Sequence, residues 1–412
     1  MSRVPDFFFS LRVITAILTC NFAMSALAAK PPSAESLESI GLEVNWTGQA
    51  VLDPARDWIR YVTNDEDLVF VQSSAGVVTA LNAEVGRRMW VRQVGRNDAV
   101  SMRAVSNSDL LLIVSGPEAF GLDKFTGEGK FRYRLKGLPT AQPAIDAAAA
   151  YFPLGDGTVY GFSLQTLEHL SRYESLPPGV FQSYLWRFSS NERVEHPPVA
   201  TDNVIAFASL SKNLHSVSAA GISYYQEFLN ESPSAPMSLD LHGERRNIII
   251  ATQDRNLFSF DLTLGSLAWN VPLERRVTRR PLVVGDRVYL VMNGAGATCV
   301  STQTGNYVWV ERGEGATERW FVPRIESIVG VAGDYLYAVD ANRRLVAISR
   351  ETGAVRGRAP MSGYSLHHQN STTDRLYLAS ADGELICLKA AGSEFATYHQ
   401  RPELQPLAVD VP

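Results

Sequence analysis

The chain has 412 residues, 45% hydrophobic and 20% charged side chains, and a formal net charge of −5. That length and apolar share suffice for a sizeable core, which excludes a disordered polar chain. Mild acidity without a long Lys/Arg run argues against a nucleic-acid or anionic-membrane partner.

The N-terminus reads as an export signal. Arg3 and Arg12 supply positive charge, residues 13–18 an apolar stretch, and Ala26-Leu27-Ala28 a small-x-small cleavage signal. Cleavage there leaves a mature chain starting at Ala29, with a net charge of about −6 once Arg3, Arg12 and Asp6 are gone. A periplasmic or other extracytoplasmic location is expected. Cys20 offers a second option, an acylated outer-membrane lipoprotein, but Thr19 before it and the apolar run after it argue against that. No later stretch is apolar and long enough to cross a bilayer as a helix, so no membrane span is expected. The predicted organisation is a signal over residues 1–28, a short linker over 29–40, one domain over 41–400 and a tail over 401–412.

The first predicted strand covers residues 42–51, with Trp46 in an alternating apolar setting. After it a single phrase returns eight times: polar turn, apolar strand, small residue, polar turn with glycine, then often an aromatic. The small residues are Ala80, Gly121, Gly161, Ser216, Ser259, Cys299, Ala347 and Cys387, at intervals of 41, 40, 55, 43, 40, 48 and 40. A period near 40 with strand-like content predicts one four-stranded antiparallel sheet per repeat. The fold class is therefore all-β, an eight-bladed β-propeller.

Each blade can be parsed further. Asp67, Asp109, Asn203, Asn247, Asp286, Asp334 or Asp374 precedes the second strand, where a short polar side chain can bond the local backbone. Gly155-Asp156-Gly157, Asn293-Gly294 and Asp382-Gly383 supply tight reversals to the third strand. Pro143, Pro198, Pro236 and Pro281 open first strands, a position that tolerates proline. Trp90, Phe131, Tyr225, Trp269 and Trp309 are expected to begin outer strands and cover blade edges. Leu167 and Ser171 in the third repeat, and Gly357 in the seventh, break that pattern and predict looser edges there. Residues 42–51 are expected to complete the eighth blade and close the ring; residues 395–399 compete for that place.

The segments 81–90, 260–269 and 300–309, each running from an apolar residue through a polar turn with glycine to tryptophan, resemble the repeat of pyrroloquinoline-quinone-like propellers. The resemblance spans about residues 42–400. Size and eight repeats are most similar to the BamB family of the outer-membrane β-barrel assembly machinery, and also to uncharacterised exported propellers of planctomycete bacteria. It implies a noncatalytic propeller without cofactor that holds envelope proteins, acting as a monomer. A carbohydrate- or small-ligand-binding propeller is the alternative. A quinone-dependent dehydrogenase is the enzyme reading; that family binds quinone with calcium and often has adjacent cysteines, which this chain lacks.

Candidate chemistry is sparse. His367-His368 is the sole adjacent pair of the 7 histidines, and neighbours on a strand point to opposite faces, so a shared metal is not expected. Cys299 and Cys387 fall at one register position two blades apart, too far for a disulfide. No nucleophile elbow, phosphate loop or zinc-protease helix occurs. The long intervals hold extra residues, including Pro177-Pro178 with Tyr184-Leu185-Trp186, and Trp320-Phe321. Both are expected on connections from an outer strand to the next inner strand. Tyr184, Trp186, Trp320 and Phe321 are the candidate partner-binding anchors; packing of the longer loops against the rim is the competing role.

Overall fold

The computed structural model describes residues 31–53, 55–96, 99–171, 184–201, 203–311, 316–361 and 363–400. The expected signal with its cleavage site and Cys20, Pro177-Pro178 and the expected tail 401–412 lie outside them. Among the described residues, eight four-stranded antiparallel sheets form the blades of one propeller. Blades 1 to 7 occupy residues 59–93, 105–134, 144–189, 199–228, 238–272, 282–323 and 325–360. Blade 8 takes residues 366–390 and borrows the strand Leu42–Gln49.

Second strands lie between neighbouring blades and read as continuous apolar runs; Leu68–Ser73 and Leu110–Ser115 are buried at every position. Outer strands alternate, as in Gly129–Arg134 and Leu267–Pro272, with one face on the next blade and one on solvent.

The column of small residues has a direct steric cause. Ala80 faces Trp90 across the strand pair, Gly161 faces Trp186, Ser259 faces Trp269 and Cys387 faces Trp46. Each ring then crosses to the following blade. Trp90 lies over Gly127, where a Cβ would fall 2.6 Å from Trp90 Cδ2 and where φ is +71°. Both constraints demand glycine. The indole N–H of Trp90 donates to the Lys124 carbonyl at 2.8 Å. The same contact recurs from Trp46 to Ala83, Trp186 to Ala219, Trp269 to Thr302 and Trp320 to Arg350. Ring burial plus a satisfied N–H contributes on the order of 2–3 kcal/mol per junction.

Ring closure follows the predicted route. Leu42–Gln49 pairs antiparallel with Glu384–Ala390. The competing residues 395–399 instead turn back toward the axis, with Tyr398 bridging Thr373 and the His399 N–H donating to the Thr372 carbonyl.

Three expectations need correction. In blade 6 the covering ring is Trp320, fully buried, whereas Trp309 is 62% exposed. The outer strand begins at Tyr307 and Val308, leaves the sheet as a hairpin of Trp309–Glu311 and Thr317–Arg319, and resumes at Phe321–Pro323. In blade 3, a helix α1 (Leu164–Ser171) fills the space between the third and fourth strands; Leu164 and Leu167 bury against Phe131 and Tyr133, and Trp186 covers the edge. Blade 7 has no ring opposite Ala347, yet its edge is not loose. The segment Ala34–Ser39, within the region expected to be linker, is a helix whose Leu37, with the following Ile40, packs on Ala347 and Ala359. A Cβ at Gly357 would lie 3.1 Å from Ile40 Cγ2. The helix Leu164–Ser171 thus precedes the outer strand of blade 3 and the hairpin interrupts that of blade 6, so the described residues of both insertions lie at outer strands rather than on the connections to the next blade.

Candidate functional site: rim insertions and axial channel

The predicted anchors divide by position. Trp186 (8% exposed) and Trp320 (0%) are junction rings inside the protein. Tyr184 is half-buried at the foot of the blade 3 insertion, edge-on to Tyr160 at 5.4 Å with the Lys136 ammonium 5.3 Å from its ring. Phe321 is half-buried beneath the blade 6 hairpin, under the Arg319 guanidinium at 5.4 Å. Arg319 also lies over Tyr307 and pairs with Glu274 at 2.5 Å, which ties the hairpin to blade 5 and holds the Glu274 carboxyl below its usual range. Solvent meets other side chains at this rim: Leu185, Ile222, Phe228, Leu264 and Trp309.

The first strands enclose an axial channel of about 890 Å³. Its two ends differ in charge because they are built by different parts of the blade. At one end, turns from first to second strands bring Asp65, Asp67 and Asp146 to the wall. These carboxylates are answered. Asp65 Oδ1 accepts from the Asp67 and Leu68 N–H groups, and Lys124 Nζ reaches Asp65 at 3.2 Å and Asp67 at 2.8 Å. Burial alone would lower the Lys124 pKa, but the two carboxylates hold it above its ordinary value. Asp146 accepts from Tyr151 Oη at 2.6 Å.

The other end carries Arg103, Arg279 and Arg280, with His367 and His368 from blade 8. Arg103 Nη1 donates to His368 Nδ1 at 3.2 Å, and its guanidinium lies over Tyr61 at 5.5 Å. His367 Nε2 meets the Ser327 hydroxyl at 2.6 Å, and its Nδ1 has no partner. The two imidazoles do point apart, one to blade 7 and one to the axis. Burial, then the Arg103 and Arg280 charges, press the His368 pKa down to about 3; burial and Arg279 press His367 down to about 4. The arginine cluster was not singled out from sequence, although Arg280 stands immediately before the strand-opening Pro281.

The fold and site define a class: an eight-bladed propeller with a charged axial channel and an elaborated rim. A family model described as outer membrane protein assembly factor BamB matches residues 182–395, more than half of the chain, and the protein belongs to that family. BamB from Moraxella catarrhalis superposes with a TM-score of 0.63 at 15% identity, covering 86% of this chain and 99% of that one. The computationally designed Ika8 protein gives 0.61 at 11% identity, with 84% and 99% covered. The Neurospora crassa Pan2 WD40 domain gives 0.51 at 8% identity, with 86% and 97% covered. At these identities the structural likeness speaks for fold alone. No curated protein sequence matches the chain.

Proposed function

We propose that this protein is a noncatalytic, monomeric scaffold outside the cytoplasm that holds an envelope protein against the rim of blades 3 to 6, in the assembly of outer-membrane proteins. Membership of a family described by that role supports the reading. The observation that carries it to a particular surface is that both insertions belong to this arc, with Leu185 of blade 3 and Trp309 of blade 6 presented to solvent, as are Phe228 of blade 4 and Leu264 of blade 5. Apolar side chains grouped on the outside of a folded domain mark interaction surfaces. Tyr184 and Phe321 form the base of that surface, while Trp186 and Trp320 hold the base in place from within. The repeated blade contacts use none of the exposed groups, so substitutions at the rim leave the ring intact.

Crosslinking capture from the native envelope tests this. Leu185→Asp combined with Trp309→Asp is expected to keep the wild-type unfolding midpoint and lose a specific crosslinked protein. Trp186→Ala or Trp320→Ala is expected to lower the midpoint. Undiminished capture by the folded double aspartate variant would remove the rim from consideration.

A further inference from the structure

Arg103 and Arg280 hold one register position in two blades that face each other across the ring. Val105 pairs with Leu112, which pairs with Gly121 of the small column; Leu282 pairs with Tyr289, which pairs with Cys299. Each arginine lies two residues before the first member of its row. Blades 2 and 6 are four apart in a ring of eight, hence opposed. Two guanidiniums therefore approach the axis at one level from opposite walls, and His368 of blade 8 joins them through its contact with Arg103. Gln369 fixes the approach of blade 6, its side-chain N–H donating to the Arg280 carbonyl at 3.0 Å.

No carboxylate among the described residues pairs with Arg103, Arg279 or Arg280. That contrasts with the opposite end of the same channel, where Lys124 neutralises Asp65 and Asp67. Away from the channel, Arg245 pairs with Asp240 and Arg344 with Asp340. Like charges drawn together on an axis without a counter-charge cost stability, and that cost is offset when an anion binds between them. Arg280 is exposed to the channel, and the protein mass around it together with the neighbouring Arg103 charge brings its pKa down to about 10. His368 accepts from Arg103 through Nδ1, so in its neutral form the proton sits on Nε2 and adds another donor. The cluster presents donors in planar forks, the geometry suited to oxyanions. The channel volume falls within the roughly 300–1,000 Å³ of small-molecule sites.

We propose that Arg103, Arg280 and His368 form an axial site for an oxyanion group, best matched by phosphate, either as the free ion or carried on a small polar molecule. Arg279 adds charge at the entrance. The site is independent of the rim surface and of any partner bound there.

Titration calorimetry on the full chain tests it, with inorganic phosphate, glucose 6-phosphate and glucose as probes in chloride buffers of matched ionic strength. Saturable binding of one phosphate per chain is expected, with no binding of glucose. Arg103→Gln and Arg280→Gln should each weaken it by at least about tenfold. Without phosphate both variants should melt above wild type, because a repelling charge has gone. Arg103→Lys, which keeps the charge and loses the fork, should bind with intermediate affinity. Tighter binding of inorganic phosphate than of glucose 6-phosphate assigns the free ion; the reverse order assigns a phosphate-bearing molecule. Absence of saturable binding of either phosphate by wild-type protein overturns the proposal, and so does equal binding by a folded Gln variant.

Discussion

Gly161 shows how little room one position leaves. Its Cβ would stand 2.6 Å from Trp186 Cε2, and that ring is held by an indole bond to Ala219 in the next blade. Gly161→Ala is therefore expected to cost roughly 1–3 kcal/mol through overpacking, read as a lower urea midpoint. His215 makes the opposite case. It lies buried between Phe188 and Phe207, at 5.0 and 5.3 Å, and neither ring nitrogen has a hydrogen-bond partner. Burial takes its pKa from 6.5 down to about 4. The folded chain thus refuses a proton that the unfolded chain accepts between those values. Stability from this group is fully present above about pH 6.5 and is lost as pH falls through 4, by on the order of 3 kcal/mol. His215→Leu should raise the midpoint at pH 5 by more than at pH 7.5, and an equal gain at both would contradict the assignment.

Elements were legible where local sterics decide them. The small column, the polar corners and the strand-opening prolines each follow from contacts within one repeat, and all eight third strands carry the small residue expected. What escaped was the use of segments distant in sequence. In blade 6, Trp309 stands at the usual spacing after Gly305, but the ring that reaches the Arg350 carbonyl is Trp320. Spacing could not choose between them, since the hairpin separating them is visible only as extra length. Blade 7 looked uncovered because its cover, Leu37 and Ile40, lies some 300 positions upstream, where Tyr337 Oη donates to the Ile40 carbonyl across 297 residues. The axial arginines escaped for the same reason, being far apart in sequence and brought together only by the ring. Deleting residues 29–40 should expose Ala347 and Ala359 and remove two buried aliphatic side chains, a loss of roughly 3–5 kcal/mol. Hydrogen exchange should show it first in Val355–Pro360, the strand the helix covers.

The whole molecule is a ring in which five junctions repeat the tryptophan-to-carbonyl contact, and its buried side chains fall into eight clusters among the described residues, so no single core dominates. Opening it at one place exposes two faces at once. Removing residues 29–49 would leave Cys387, Tyr377 and Leu81 without Trp46, which lies 6.0 Å from the Tyr377 ring and donates to Ala83. Such a chain is expected to aggregate or to unfold in more than one step, whereas Trp46→Ala should unfold in a single step at lower urea. A single sharp transition for the deletion would show that seven and three-quarter blades suffice.

Three strands of the last sheet come from residues 366–390 and the fourth from residues 42–49. During ribosomal synthesis the early strand must wait, with Trp46 lacking its partner, until almost all of the remaining polypeptide has emerged. The circle is completed only after residues 366–390 have emerged, which makes a closed ring a check that this late sheet and the early strand 42–49 were both made intact.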